Sequence, residues 1–442
     1  MTRLSRAVLP TLRGVRIPAY DPAGITVGIV HLGVGAFHRA HQAVYTDAVL
    51  AADPTWGISG YTQRSAAVRD RLAPQDGLYT VLERGAGAGP PHVVGALREI
   101  RGPEEDGGPA ARIADPRVRL VTLTVTEKGY RPDAPTVGRL VAGLDARRRA
   151  DAGPVSVLSC DNLPANGATL RGLVADRCAA LPDGERLLDW ITTSVAFPSC
   201  VVDRIVPATT PADLAAAASA LGVADEGAVV AEPFTQWVIE DAFAAGRPDW
   251  AATFTADVAP YEAAKLRLLN ATHSLLAYTG ALAGHDTIAA AMTDPALAET
   301  AYRFMTEDAV PTLTLPPGFD LGGYQDTILR RFADPALGHR TAQVAADGSL
   351  KLPIRLLGTA RDRLAAGATP QWTALAVAAW MVYVATRQPL DDPIAGTLAA
   401  ATAGYSTPAS LVDPLLELLP PVPYPAWRDM LLAHTARLLH DR

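Results

Sequence analysis

Lysine, cysteine and asparagine are nearly missing from this chain of 442 residues, each occurring three times. The cysteines, Cys160, Cys178 and Cys200, are odd in number and widely spaced, which excludes a disulfide framework and a C-x-x-C pair and fits a reducing compartment. No basic block occurs, and 39 basic against 46 acidic side chains leave a net charge of −7, so nucleic acid is excluded as the main partner. No apolar run reaches the roughly 20 residues that span a bilayer, and the longest, 372–385, reads as a buried helix. The N-terminal MTRLSRAVLPTLRGVRIPAY lacks the run of about 7 to 15 apolar residues that marks a secretory signal, so a cytoplasmic location with no membrane attachment is expected. His38 and His41 form the one close histidine pair, with no cysteine near them, so no metal site is expected. A G-x-S-x-G elbow and a Walker loop are absent as well.

What is present is a large apolar content, 49% hydrophobic against 19% charged, enough for more than one buried core. The run GITVGIVHL (24–32) ends in Gly33-Val34-Gly35 and passes into FHRAHQAVYTDAVL, which has helical periodicity; a strand, a glycine turn and a helix is how a dinucleotide-binding unit begins. Further strand-like runs at 56–62, 118–126, 154–159 and 201–206 alternate with helical segments, as an open parallel sheet requires. From about Pro260 helical periodicity dominates, with loops expected at 311–319, 345–353 and 386–393. The fold class is therefore α/β: an N-terminal Rossmann-type parallel-sheet domain over 1–258, binding a dinucleotide, and a mainly α-helical C-terminal domain over 259–442, holding substrate and catalytic groups.

The candidate chemistry gathers in five places. Gly33, Val34, Gly35 and Phe37 supply the first two glycines of a dinucleotide fingerprint without the third, and form either the cofactor turn or an ordinary strand-to-helix turn, and Arg39 is either a phosphate contact or a solvent-facing helix charge. The second strand runs out into Gln63-Arg64-Ser65 where an acid would bind the ribose of NAD, so Arg64 either reads the 2′-phosphate of NADP or stacks on adenine. Glu127 and Lys128 end another strand at the same edge, paired with each other or facing the cofactor, and Asn162 and Asn166 follow a strand in SCDNLPANG, Asn166 reading as a turn residue. The densest constellation is YEAAKLRLLNATH. At about 100° per helical residue, Glu262, His273 and Asn270 stand about 60°, 80° and 140° from Lys265, all on one side. Arginine supplies 36 of the 39 basic residues, so a lysine kept here stands where an amine that loses its proton near neutrality serves and guanidinium does not. Partial burial would make Lys265 a general base, Asn270 a donor to an alkoxide and His273 a partner for a substrate hydroxyl. The alternative is a salt-bridged amphipathic helix.

These segments, with QDGLYT (75–80), VDRIVP (202–207) and EPFTQWVIEDAFAAGRPDW (232–250), resemble the long-chain polyol dehydrogenase family, also called the mannitol dehydrogenase family, over nearly the whole chain. The resemblance implies zinc-independent hydride transfer between NAD, or NADP, and a secondary alcohol. It assigns Lys265 as general base, Asn162 and Asn270 as the oxyanion-binding pair, His273 as a substrate-hydroxyl ligand, Glu262 as the acid exchanging protons with solvent, and Asp203 as a substrate contact. ADPALGHRTAQ (333–343) and DGSLKLPIR (347–355) resemble the hexuronate branch, with Gly338 departing from its pattern. That implies interconversion of a keto sugar acid and its alcohol, of the fructuronate and mannonate type, with His339, Arg340 and Arg355 as substrate contacts. The alternatives are the fructose and mannitol type and, outside catalysis, a nucleotide-binding sensor. The expected partner is a small sugar acid or polyol, and the chain works as monomer or homodimer.

Overall fold

The computed structural model describes residues 2–63, 65–126 and 129–440, and the chain divides into two units, Met1–Val258 and Ala259–Arg442. The first is built on six parallel strands: Val27–Leu32 (β1), Gly57–Tyr61 (β2), Leu97–Arg101 (β3), Leu120–Leu123 (β4), Val155–Ser159 (β5) and Val195–Ala196 (β6). Their order is β3-β2-β1-β4-β5-β6. The sheet grows outward from β1 to β3, then restarts on the other side of β1 with β4. That reversal opens a crevice at the carboxyl ends of β1 and β4, the place where open α/β sheets bind ligands. Every residue of β1 is buried, as a central strand covered on both faces requires.

Four of the expected strand runs contain a strand of this sheet, and the exceptions have physical causes. The stretch Leu97-Arg98-Glu99-Ile100-Arg101 was not read as a strand because charges interrupt it. As an edge strand it tolerates them, and Glu99 receives hydrogen bonds from Ser59 at 3.1 Å and Arg112 at 2.6 Å. The run 201–206 is not part of the parallel sheet. Cys200–Asp203 pairs antiparallel with Gln236–Glu240 in a separate three-stranded sheet completed by Thr253–Thr255. Only residues 197–199 separate it from β6, whereas a parallel crossover needs about a dozen residues or more. Tyr79–Glu83, His92–Val94 and Val229–Ala231 make the third sheet.

The second unit is helical. Ala271–Leu282 and Gln371–Thr386 are buried along nearly their whole lengths and pack on each other, and Pro425–His440 lies against the latter. Residues 345–353, expected as a loop, are largely helical: Gly348–Leu352 runs straight into a π-helical turn, Pro353–Leu357. Pro353 stands at the first position of that turn instead of ending the helix, which is why Gly and Pro misdirect the reading. Two further π-helical segments occur, Lys265–Asn270 and Phe304–Ala309. Among the described residues no helix is long and apolar enough to cross a membrane.

At the edge of the sheet away from the crevice, Arg147 on the helix Pro135–Arg149 is 1% exposed. It donates to the carbonyls of Gly153, Ile113, Asp115, Ala152 and Pro154 at 2.8, 2.8, 3.1, 2.8 and 3.0 Å. It thereby joins the segments leading into β4 and β5, and five fixed N–H bonds are within reach of a guanidinium but not of an ammonium. Arg147→Met should cost about 3 to 5 kcal/mol, because buried carbonyls are left without donors. Urea denaturation measures this, and a loss under about 1 kcal/mol would show that the carbonyls find other partners.

Candidate active site

Gly33 follows β1 at φ 106°, a backbone conformation that favours glycine, and an added Cβ there would lie 2.1 Å from the Thr124 carbonyl oxygen. Thr124 returns a hydrogen bond from its hydroxyl to the Gly33 carbonyl at 2.8 Å, so the ends of β1 and β4 are stitched together. Val34 is buried. Gly35 caps the helix Ala36–Ala40 without a side chain, and a Cβ at 35 would meet nothing nearer than the Gly33 carbonyl at 3.7 Å. Open room beside uncapped helix N–H groups suits a nucleotide pyrophosphate. Phe37 is half-buried, its ring 5.1 Å from that of His41. The helix breaks at His41 (φ −124°, ψ −89°) and resumes over Gln42–Val49.

Arg39 departs from the sequence reading. It is buried, donates from Nε to the Gly35 carbonyl at 3.1 Å and from its terminal nitrogen to the Gly227 carbonyl, and lies over the Tyr79 ring. It braces the turn through the Gly35 and Gly227 carbonyls, and its burial corrects the reading of a solvent-facing charge. Gln63 at the end of β2 accepts from Thr136 and from Arg139 at 3.3 Å, and the Ser65 hydroxyl accepts from the Ala67 N–H at 3.0 Å. Arg64, Glu127 and Lys128 lie outside the described residues.

Asn162 is exposed in the loop after β5. Asn166 is no mere turn residue. It starts the helix Asn166–Ala179, and its buried amide donates to the carbonyls of Asp161 at 3.1 Å and Cys200 at 2.8 Å while accepting from the Cys200 N–H at 3.0 Å. Asp203 is buried at the end of Cys200–Asp203. Its neighbour Arg204 donates to the Glu232 and Ala40 carbonyls and to Glu83 at 2.8, 2.5 and 2.9 Å.

In the second unit Glu262 lies in the first turn of the α-helical part, Ala259–Ala264, and Lys265 and Asn270 are the first and last residues of the π-helix that continues it. Both are 7% exposed. A regular α-helix would set them well apart around the axis. Bonding from i to i+5 gives residues five apart the relation that residues four apart have in an α-helix, so the wider turn narrows that separation. Arg355, on the π-turn Pro353–Leu357, donates to the Asn270 carbonyl at 3.3 Å and to the Ser274 hydroxyl at 3.0 Å. It therefore holds part of its own unit together.

His273 is half-buried, stacked between Phe332 at 4.9 Å and His339 at 5.3 Å, and its Nε2 is buried with no hydrogen-bond partner. Burial, then His339, Arg355, Arg331 and Lys351, push its pKa well below the usual histidine value. His339 is shifted down too, by burial and by Arg331. Arg340 is exposed. The sequence motifs do not single out Arg331, which bears on His273, or Asp161 and Tyr130, which lie within SCDNLPANG and TVTEKGY and bond each other at 2.8 Å. Among the described residues no three His, Cys, Asp or Glu side chains gather as a metal ion would need.

Family models match both units: the mannitol dehydrogenase Rossmann domain over residues 27–252 and the mannitol dehydrogenase C-terminal domain over 257–407. The D-mannonate oxidoreductase of Escherichia coli is 42% identical over 415 residues, spanning 87% of this chain and 84% of that protein. The mannitol 2-dehydrogenase of Cereibacter sphaeroides is 40% identical over 401 residues, spanning 84% and 83%. The structure of Pseudomonas fluorescens mannitol 2-dehydrogenase in ternary complex with NAD and D-mannitol matches with a TM-score of 0.87 at 34% identity, covering 100% of this chain and 96% of that one.

Beneath the glycine turn, His31 is fully buried, its ring 3.4 Å from that of His38 and bonded to Thr122 and Thr124 at 2.7 and 2.9 Å. Burial lowers its pKa from 6.5 to about 3. The folded state thus holds it neutral where the unfolded chain takes a proton, so its contribution is complete above pH 6.5 and is lost as pH falls toward 3. Between pH 7.5 and 5 this one group should remove about 2 kcal/mol of stability. Chemical denaturation of wild type and His31→Asn across that range checks it, and equal pH slopes would contradict it.

Proposed function

Because the chain belongs to the mannitol dehydrogenase family and is an oxidoreductase acting on secondary alcohols, we propose that it interconverts a keto sugar acid and its alcohol, of the fructuronate and mannonate type, using NAD. The observation that carries the catalytic part is the π-helical turn bearing Lys265 and Asn270, buried and brought toward one face. The Gly33–Gly35 turn would hold the nucleotide, which when bound supplies or accepts the hydride. In reduction the amides of Asn162 and Asn270 donate to the oxygen that becomes an alkoxide, and the Lys265 ammonium gives that oxygen a proton. In oxidation the neutral amine takes the proton from the alcohol, and Glu262 passes it to solvent. His273 Nε2, buried without a protein partner, takes a substrate hydroxyl.

The acid substrate is supported by charge. The cations Arg331, Lys351 and Arg355 all bear on His273, a surrounding that favours a carboxylate over a hydroxyl at the far end of a six-carbon chain. The 42% identity to a D-mannonate oxidoreductase points the same way.

Lys265→Ala should lower turnover by about 10²- to 10⁴-fold with NADH affinity little changed. Turnover within threefold of wild type would remove Lys265 from the mechanism. For the substrate, wild type should show a higher kcat/KM for fructuronate than for fructose, by about 10- to 150-fold if one charge-assisted contact discriminates. Arg331→Ala should narrow that gap, since Arg331 is one of the cations that bear on His273, whereas Arg355→Ala should depress both substrates because Arg355 also bonds the Asn270 carbonyl. Fructose turned over better than fructuronate would move the assignment to the mannitol type.

A further inference from the structure

Asp161 closes a hydrogen-bond knot at the carboxyl end of the sheet. It is 8% exposed, and its carboxylate accepts the Val125 N–H at 2.9 Å, the Thr126 N–H at 2.8 Å and the Tyr130 hydroxyl at 2.8 Å. Thr126 holds φ 62°, a left-handed conformation that a β-branched residue adopts only under constraint, and two successive N–H groups converging on one carboxylate supply that constraint. The Tyr130 hydroxyl also bonds the Ser159 hydroxyl, and burial followed by the Asp161 charge keeps the phenol protonated as a donor. On the main-chain side, the Asp161 carbonyl accepts from Leu163 N–H at 2.9 Å and from the Asn166 amide at 3.1 Å. Asn162 therefore stands between two residues whose positions are fixed by bonds in several directions.

We propose that Asp161 is a positioning residue for Asn162. It ties the turn after β4 to the loop after β5, and β4 is itself stitched to the Gly33 turn through Thr124. The register between the nucleotide turn and the Asn162 amide is thus set by a carboxylate held by three protein donors, the Val125 and Thr126 N–H groups and the Tyr130 hydroxyl. The inference rests on the reading that Asn162 binds the alkoxide oxygen.

A double-mutant cycle tests it, since a residue acting through Asn162 has little left to lose once that amide is gone. Asp161→Ala should lower kcat at least 30-fold in the native background and less than threefold in an Asn162→Ala background, with fructuronate and NADH as substrates. Equal losses in the two backgrounds, or a loss under threefold in the native one, would overturn the proposal while leaving the role of Asn162 standing. Asn162→Ala within threefold of wild type would instead remove the reading beneath it, and the proposal with it. If Asp161→Ala does not fold by circular dichroism, Tyr130→Phe repeats the cycle, with at least a fivefold loss expected in the native background and less than twofold in the other; equal losses again decide against the proposal.

Discussion

A Cβ at position 33 would lie 2.1 Å from the Thr124 carbonyl oxygen, so β1 and β4 can close to hydrogen-bonding distance at their carboxyl ends only if that residue is glycine. Much of the first unit's functional edge follows from this approach. It lets the Thr124 hydroxyl reach the Gly33 carbonyl, it places the next residues, Val125 and Thr126, over the Asp161 carboxylate, and it leaves the chain turning at Gly35 with no side chain in front of the helix. Three neighbouring strand ends are thus cross-braced by short polar contacts, while the opposite edge is held by Arg147. The sheet is hydrogen-bonded at both ends by different groups, Thr124 and Asp161 at one and Arg147 at the other.

In the second unit the comparable constraint is the π-turn. A π-helical segment departs from the preferred i→i+4 bonding and persists where neighbours hold it, often at functional sites. Here three such segments pack together: Arg355 of Pro353–Leu357 donates to the carbonyl of Asn270, and Phe304–Ala309 lies against Lys265–Asn270. Asp308 of that middle segment caps the buried helix Gln371–Thr386 by accepting the Thr373 N–H at 2.7 Å and its hydroxyl at 2.8 Å. The irregular turns are thereby anchored to the most regular helix of the unit.

The fold class was legible because β1 and its glycine turn combine a continuous apolar run with a backbone requirement, two signals that reinforce each other. The edge strand Leu97–Arg101 was not legible, since its charges satisfy themselves laterally through Ser59 and Arg112, and nothing in a single sequence displays that. The antiparallel place of Cys200–Asp203 follows from the shortness of the connection before it, a constraint on distance that hydrophobic pattern alone does not express. At the site, Lys265, Asn270 and His273 were legible as a spacing, but the spacing assumed a regular helix, and the π-turn changes how Lys265 and Asn270 relate. Arg39 is no solvent-facing charge, because the folded chain buries it and brings the Gly227 carbonyl to it, which no local pattern displays.

The scarcity of lysine sharpens the difference between the two cations. Arginine takes the structural duties that need a planar fork, as Arg147 and Arg204 show with five and three hydrogen bonds to fixed oxygens. Of the two lysines within the described residues, Lys351 donates to the Val344 and Ala346 carbonyls at 3.3 and 2.5 Å, closing the end of the short helix Thr341–Ala345. A guanidinium has donors enough for that task, so rarity alone does not mark a lysine as chemical. Lys265 differs in its setting: 7% exposed, on a turn that deviates from helical regularity, with an amide five residues on. An arginine there would stay charged at every pH the protein meets and so could never take a proton from an alcohol, so the role proposed for Lys265 is one that lysine can fill and arginine cannot.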